Sequence, residues 1–378
     1  MREPAEVCAA PCGSYEYETV RAVLAEQFRL LRVEELVKPG CRVAVKPNLV
    51  TRSSPEEGAV THPSVICAVV SLLKELGASV TVAESPGGPY TPVLLKAVYE
   101  GSGCSAAEKY GAALNLDCSW GELKAPQAKL CHSFQVIRPL LEADLIVDVC
   151  KLKTHCMMGL SAGVKNMFGA VPGLMKPELH CRFPEKEAFG AMITDLCQAL
   201  HPALCVVDAV VAMEGNGPTG GSPRPVGALL ASRSPYAADL ACTQIIGMDP
   251  NAVYPLRSAM ERGLCPRSPE ELRFLQQPAA SFRVPDFRMP ESKPADFIAR
   301  LPGFLRPLAT RLATPVPKIR TAQCVGCGKC AESCPQHTIT IENRKAVIHY
   351  DKCIRCYCCH EMCPKHVIDI RRLSLFRH

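Results

Sequence analysis

Eight of the nine cysteines between positions 324 and 363 constrain this chain more than any other feature. Cys324, Cys327, Cys330 and Cys334 fall in CVGCGKCAESCP, and Cys353, Cys356, Cys359 and Cys363 in CIRCYCCHEMCP. Both runs have the spacing C-x2-C-x2-C-x3-C-P. Soft thiolates at this density select iron–sulfur clusters. Zinc sites use two CxxC pairs rather than a run of four cysteines closed by Cys-Pro. A segment this short has little core of its own, so the bound groups must help to hold it together.

Each run resembles those of the bacterial ferredoxins that carry two 4Fe–4S clusters. There, three closely spaced cysteines wrap one cluster and the fourth, before proline, reaches across to the other. The resemblance implies Cys324, Cys327, Cys330 and Cys363 around one cluster, and Cys353, Cys356, Cys359 and Cys334 around the second. The segment is also an internal repeat, with CPQHTITIE after the first run and CPKHVIDIR after the second. Thr338–Glu342 and Lys345–Tyr350 read as a hairpin turning at Asn343-Arg344. Cys358, inside the second run, is an extra thiol whose role as a ligand would be redundant.

The formal charge of +6 arises in this tail, where Lys318–His378 holds eleven Lys/Arg and five Asp/Glu. Two oxidised cubanes, each about −2 with its four thiolates, would offset most of it. No nucleic-acid footprint and no polybasic membrane signal remain. Of the 23 cysteines, the fifteen outside the two sets of four are scattered without metal-ligand spacing. Clusters require a reducing compartment, and those cysteines read as buried small hydrophobes. MREPAEVCAAPC lacks the features of a signal peptide, and no apolar run reaches membrane-spanning length. The expectation is a cytoplasmic protein of an anaerobic setting, with no transmembrane segment.

Upstream, apolar strands alternate with helices. Strands are expected at Arg42–Lys46, Ala78–Ala83, Ala143–Val149 and Leu204–Val211, and helices at Tyr17–Val37, Pro63–Leu76, Pro92–Tyr99 and Ala188–Leu200. Continuous apolar strands between helices predict an α/β fold, a parallel sheet with helices on both faces. The domain plan is a large α/β domain over 1–277, as one body or two lobes, then a Pro-rich connector and a small α+β two-cluster ferredoxin-like domain over 318–378. The connector, 278–317, carries eight prolines and one candidate amphipathic helix, Phe297–Leu312, with Arg300, Arg306 and Arg311.

The strand ends gather polar residues: Lys46-Pro47-Asn48, Thr61-His62-Pro63, Glu84-Ser85-Pro86-Gly87-Gly88, Lys151-Leu152-Lys153-Thr154-His155 and Gly159 to Asn166. Ligands in parallel sheets bind beyond the carboxyl ends of the strands. Lys165 and His155 are the candidate catalytic residues. Lys46 and Lys153 are candidates for binding an anionic cofactor or substrate, and Gly163 for close backbone approach to it. The alternatives stay open at this point: a solvated Lys46, a capping His62, and an Asp239 that pairs with Arg233 or caps a helix.

At VAVKPNLV, KLKTHCMMGLSAGVKNMFGAVPG and DAVVAMEGNGPTGG the chain resembles the domain-of-unknown-function family 362, over roughly residues 5–315. Members often carry the same ferredoxin tail, and their role is mostly unassigned. The segment His155-x3-Gly159-x-Ser161-x-Gly163-x-Lys165, with Pro172-Gly173 beyond it, is similar to one in the nickel-pincer lactate racemases. In those enzymes the histidine belongs to the active site and the lysine holds a nickel-bearing cofactor covalently. The stretch from Lys165 to Pro172 is longer here, and Thr61-His62-Pro63 only faintly echoes the racemases' other histidines. The likeness implies a shared fold and an anion or cofactor pocket, without nickel-pincer chemistry. Three functions follow as expectations: a redox enzyme acting on a small anionic substrate, a non-enzymatic electron carrier docking a redox partner protein, and a maturation factor that passes reducing equivalents to a target.

Overall fold

The computed structural model describes residues 5–291 and 314–371. The candidate helix Phe297–Leu312 and its three arginines lie outside the described residues.

The large domain is built on one nine-stranded sheet among the described residues. Its elements in chain order are β1 (Glu6–Pro11), α1 (Tyr17–Leu30), β2 (Arg42–Pro47), α2 (Pro63–Glu75), β3 (Ser79–Val82), α3 (Pro92–Gly101), β4 (Ala113–Leu114), β5 (Leu145–His155), β6 (Gly159–Ser161), α4 (Lys186–Leu200), β7 (Leu204–Glu214), β8 (Ser222–Ser232), α5 (Pro235–Ile246) and β9 (Arg273–Phe274). The strand order is β9-β1-β8-β7-β5-β2-β3-β4, with β6 folded back on β5. From β7 to β4 every neighbour is parallel. β8 runs antiparallel to both β7 and β1.

Side chains alternate across the strands. Val147 and Val149 of β5 join Val43 and Val45 of β2 in a core under α1 and α2. Cys150 and Leu152 face the other side, with Cys205, Val207 and the apolar face of α5. Local chemistry fixes the helix starts: Glu16 accepts from the amides of Glu18 and Thr19 ahead of α1, and α2 and α5 each have proline in their first turn. The expected strands and helices appear, except that the helix expected over Tyr17–Val37 ends at Leu30 and resumes only as a short turn, Val33–Leu36, after a left-handed Arg32. β5 and β7 run farther than expected, to His155 and Glu214. The sequence pattern gave no sign of β8, where Pro223 and Pro225 demote a strand reading.

The tail adds β10 (Val316–Ile319), α6 (Lys329–Glu332), β11 (Ile339–Glu342), β12 (Lys345–Ile348), α7 (Cys358–Glu361) and β13 (Ile368–Arg371). β11 and β12 form the expected hairpin. Asn343 and Arg344 at its turn have φ of 47° and 60°, the left-handed pair that a two-residue turn of this hand requires. β10 and β13 pair antiparallel and close the repeat. The tail packs on the large domain beside the carboxyl ends of β2, β3 and β5. His360 lies between two carbonyl oxygens, that of Ile368 within the tail (2.5 Å) and that of Asn216 in the large domain (2.9 Å). Thr219 donates to the Glu361 carbonyl (3.1 Å). Met362 packs directly on Gly87, where any side chain would collide with its sulfur. None of the described helices is long and apolar enough to cross a membrane.

Candidate functional site

Where β2 and β5 end, the chain leaves charges that the sheet cannot pair. Lys46, fully buried, is held by Glu84 Oε2 (2.9 Å), Asn166 Oδ1 (3.2 Å) and the Pro47 carbonyl (3.1 Å). Glu84 also accepts from the amides of Leu49 and Ser85, so its carboxylate is fully occupied. Asn166 passes the network on to Asp148 (2.6 Å). Burial pushes the Asp148 carboxyl up to about 8. Lys153 donates to Asn48 Oδ1 (2.9 Å) and the Ala59 carbonyl (2.5 Å). Burial, with Lys165 next in effect, lowers its amine to about 7. Lys151 is spent on Asp208 and Tyr15, both at 2.8 Å. Tyr15 stacks on His62, which caps α2 through Nδ1.

Beyond this buried layer opens a cleft with about 780 Å³ of space between the protein atoms, part of it open to solvent. Its large-domain wall includes His155, Ser161, Lys165, Phe168, Lys176 and His180. Cys358, Glu361, Met362 and Ser333 of the tail form the facing wall. His155 Nδ1 accepts from the amides of Met157 (3.1 Å) and Met158 (3.3 Å). The ring proton therefore sits on Nε2, which is buried without a hydrogen-bond partner. Glu361 Oε1 is the nearest carboxylate oxygen to it, at 3.4 Å. Burial, reinforced by Lys165 and Lys153, holds His155 well below the usual histidine range. The Lys165 ammonium stands 4.8 Å over the Phe168 ring, with no hydrogen bond or ion pair among the described residues. Burial lowers it, and Glu361 and Cys358 act in the opposite direction. Lys176 spends its donors on the Ser85, Pro86 and Val171 carbonyls and on Ser85 Oγ, with burial lowering it to about 7.

Of the five large-domain candidates, His155 and Lys165 line the cleft together. Lys46 and Lys153 lie in the layer behind it. Gly163 does not line it: a Cβ there would stand 2.7 Å from Cys205 Sγ and 3.2 Å from Asp148 Oδ2. Its small size serves close packing in the core rather than close approach to a ligand. Asp239, one of the open cases, accepts from the Gly163 (2.6 Å) and Val164 (3.2 Å) amides and so caps the short helix there. Sequence reasoning missed Lys176, His180 and Glu361 as site residues. Glu84 stood in a strand-end segment it had marked.

The tail cysteines suit metal. A small surface hollow is lined by Cys324, Cys327, Cys330 and Cys363, three of one run and the last of the other. Cys359 lies near Cys356, Cys353 and Cys334, whose charges add to burial in raising its thiol. Mutually repelling buried thiols with no disulfide among them are a set that bound iron would compensate.

A family model described as domain of unknown function (DUF362) matches residues 43–244, and one described as 4Fe-4S dicluster domain matches 316–364. The thylakoid-associated protein sll1697 of Synechocystis sp. is 35% identical over 304 residues, covering 78% of this chain and 90% of its own length. Among solved structures, the lactate racemase apoprotein from Thermoanaerobacterium thermosaccharolyticum aligns with a TM-score of 0.38 at 14% identity, covering 60% of this chain and 54% of that one.

Proposed function

The chain belongs to the DUF362 family and carries a 4Fe–4S dicluster domain, and from that premise we propose that it is an iron–sulfur oxidoreductase whose two clusters exchange electrons with a small anionic ligand bound in the cleft. Cys324, Cys327, Cys330 and Cys363 hold one cluster; Cys353, Cys356, Cys359 and Cys334 hold the other. The clusters supply one-electron chemistry when bound. One observation carries the reading: the second cysteine run is itself a wall of the cleft, with Cys358 and Glu361 facing Lys165 and His155. A ligand there sits against residues flanking Cys359. A carrier that only docks a partner has no need of a cleft lined by unpartnered donors at that position.

Most of the first run points the other way, although its Ser333 lines the cleft. Cys327 is exposed, as is Val325, and Lys329, Arg344 and Lys365 surround them on the surface. This is the side for a redox partner protein with an acidic face. A reducing compartment, which the clusters favour, supports a cytoplasmic setting.

The test is anaerobic purification of the full chain, with analysis for iron, sulfide and bound small molecules. We expect about eight iron and eight sulfide per chain, and a reduced-cluster spectrum that changes when the ligand is added. Zinc without acid-labile sulfide would end this reading, and a cleft ligand with no effect on the reduced clusters would favour the carrier.

A further inference from the structure

The cleft presents two donors that the protein leaves unanswered. His155 is 2% exposed, and its Nδ1 is occupied by the Met157 and Met158 amides. Nε2–H is therefore a donor fixed in place, aimed into the cleft without a partner. The Lys165 ammonium lines the same space with only the Phe168 ring beneath it. A buried donor without an acceptor costs free energy, and so does an unpaired cation. A ligand that brings oxygen and one negative charge answers both.

The chain holds a stand-in for that ligand. Two carboxylates line the cleft, Glu84 and Glu361. Glu84 is spent on Lys46 and two backbone amides. Glu361 Oε1 stands 3.4 Å from His155 Nε2 without completing a hydrogen bond. The other lysines are committed elsewhere: Lys46 to Glu84, Lys153 to Asn48 and Ala59, and Lys176 to Ser85 and three carbonyls. One cation with unspent donors beside one neutral donor suits a single carboxylate group; Lys153 and Lys176 add positive charge behind them, but their donors are spent on neutral partners. The apolar walls, Phe168, Leu174, Pro177 and Met362, accept an organic body rather than a small inorganic ion.

We propose that Glu361 is a resident carboxylate that stands in for an anion beside His155 Nε2, and that the ligand is a small organic carboxylate that displaces it there and pairs with Lys165. The proposal rests on the reading of the cleft as a ligand site. Glu361 ends α7, two residues beyond Cys359. Displacing it moves a negative charge beside the second cysteine set, so ligand binding is felt there without direct contact.

The experiment is calorimetric titration, without oxygen, of the full-length protein with its clusters in place. Propionate is the probe, because it reproduces the end of a glutamate side chain, and inorganic phosphate is the comparator. Glu361→Gln removes the charge and keeps the shape, and Glu361→Ala removes both. Both variants should bind propionate at least tenfold more tightly than the parent, and Lys165→Ala should lose it, all with unchanged iron content. Equal or weaker propionate binding by both Glu361 variants overturns the proposal, as does preference for phosphate. Should both Glu361 variants lose iron, the parent decides: propionate bound in preference to phosphate, and lost in Lys165→Ala, supports the proposal, and the reverse overturns it. Electron exchange is read separately, from the reduced-cluster spectrum. Propionate binding that leaves that spectrum unchanged supports this inference while refuting the redox reading. A ligand-dependent spectrum with no carboxylate bound does the opposite.

Discussion

Cys327 and Cys356 are the second cysteines of their respective runs, yet Cys327 is exposed and Cys356 is buried. The contrast continues residue by residue through the repeat. Gly328 of the first run, at φ 81°, corresponds to Tyr357, which keeps the left-handed turn at φ 64° and gives its hydroxyl to the Pro315 carbonyl (2.9 Å). Ala331 corresponds to His360, which reaches Asn216 in the large domain. Ser333 corresponds to Met362, which seats on Gly87. Glu332 pairs with Lys329 at the surface (3.1 Å), whereas its counterpart Glu361 turns into the cleft. Accordingly, Cys356, Tyr357, Cys358 and Ile370 share an apolar core with Phe168, Phe189 and Ile193 of the large domain. Cys324, Cys330 and Cys363 pack only with other tail residues. A duplicated motif has been divided between two surroundings. One half stays largely at the surface and the other is built into the cleft.

The largest expected effect probes that division directly. Cys356→Ser and Cys327→Ser should each cost about four iron per chain. Cys356→Ser should also loosen the shared core and destabilise the whole chain by an amount on the order of 2–5 kcal/mol, read as a lower thermal midpoint. Cys327→Ser should leave the large domain's unfolding nearly unchanged. Calorimetric scans of both variants check this, and equal destabilisation would break the comparison.

Next in size is the pH response of the inner half. Burial lowers Lys153 and Lys176 to about 7, so both are charged below that pH and neutral above it. Anion binding in the cleft should therefore weaken as pH rises from about 6 to 8, by roughly tenfold. Docking at the outer half should instead weaken with added salt. Titrations of the probe anion across that range check the first statement, and affinity that rises with pH would contradict it.

Much of this was legible in the sequence because it depends on local pattern. The cysteine spacing marks an iron–sulfur domain, as the dicluster match supports, and continuous apolar strands mark the parallel core. His155 and Lys165 reach the same cleft because β5 ends in a short return, β6, so that residues ten apart face each other. What stayed hidden depends on docking. Glu361 reads as an ordinary member of a cysteine run, and Cys358 as a spare thiol, until the tail is seated on Gly87 and Asn216, and no local periodicity encodes that contact. Gly163 misled for a related reason. A small residue beside a lysine signals close approach, but sequence does not say whether a ligand or the core, here Cys205 and Asp148, makes it.

A smaller effect is expected at the outer face. Charge reversal at Lys365, with Lys329 and Arg344 left in place, should slow reduction by an acidic carrier protein several-fold at low salt and little at high salt. Val325→Glu should act in the same direction. Neither should alter anion binding in the cleft, since none of these residues lines it. Stopped-flow reduction at two salt concentrations measures this. A loss of anion binding would show that the halves are not separate.

The smallest expected effect is at Cys358. In the first run the corresponding position is Lys329, and the lysine side chain lies at the surface in an ion pair with Glu332. The ligand set proposed for that run does without it, and here the Cys358 thiol stands against Cys356 as a hydrogen-bond partner rather than as a further ligand. In the second run the same direction leads into the cleft, where Cys358 lines the wall with Glu361. Cys358→Ser should thus keep the iron content and the cluster spectrum of the parent. Its thermal midpoint should shift by only about 2 °C, the cost of one hydroxyl at a buried site. Losing about four iron would make Cys358 a ligand in place of Cys356 or Cys359, and the correspondence between the two runs would fail at the point where it is closest.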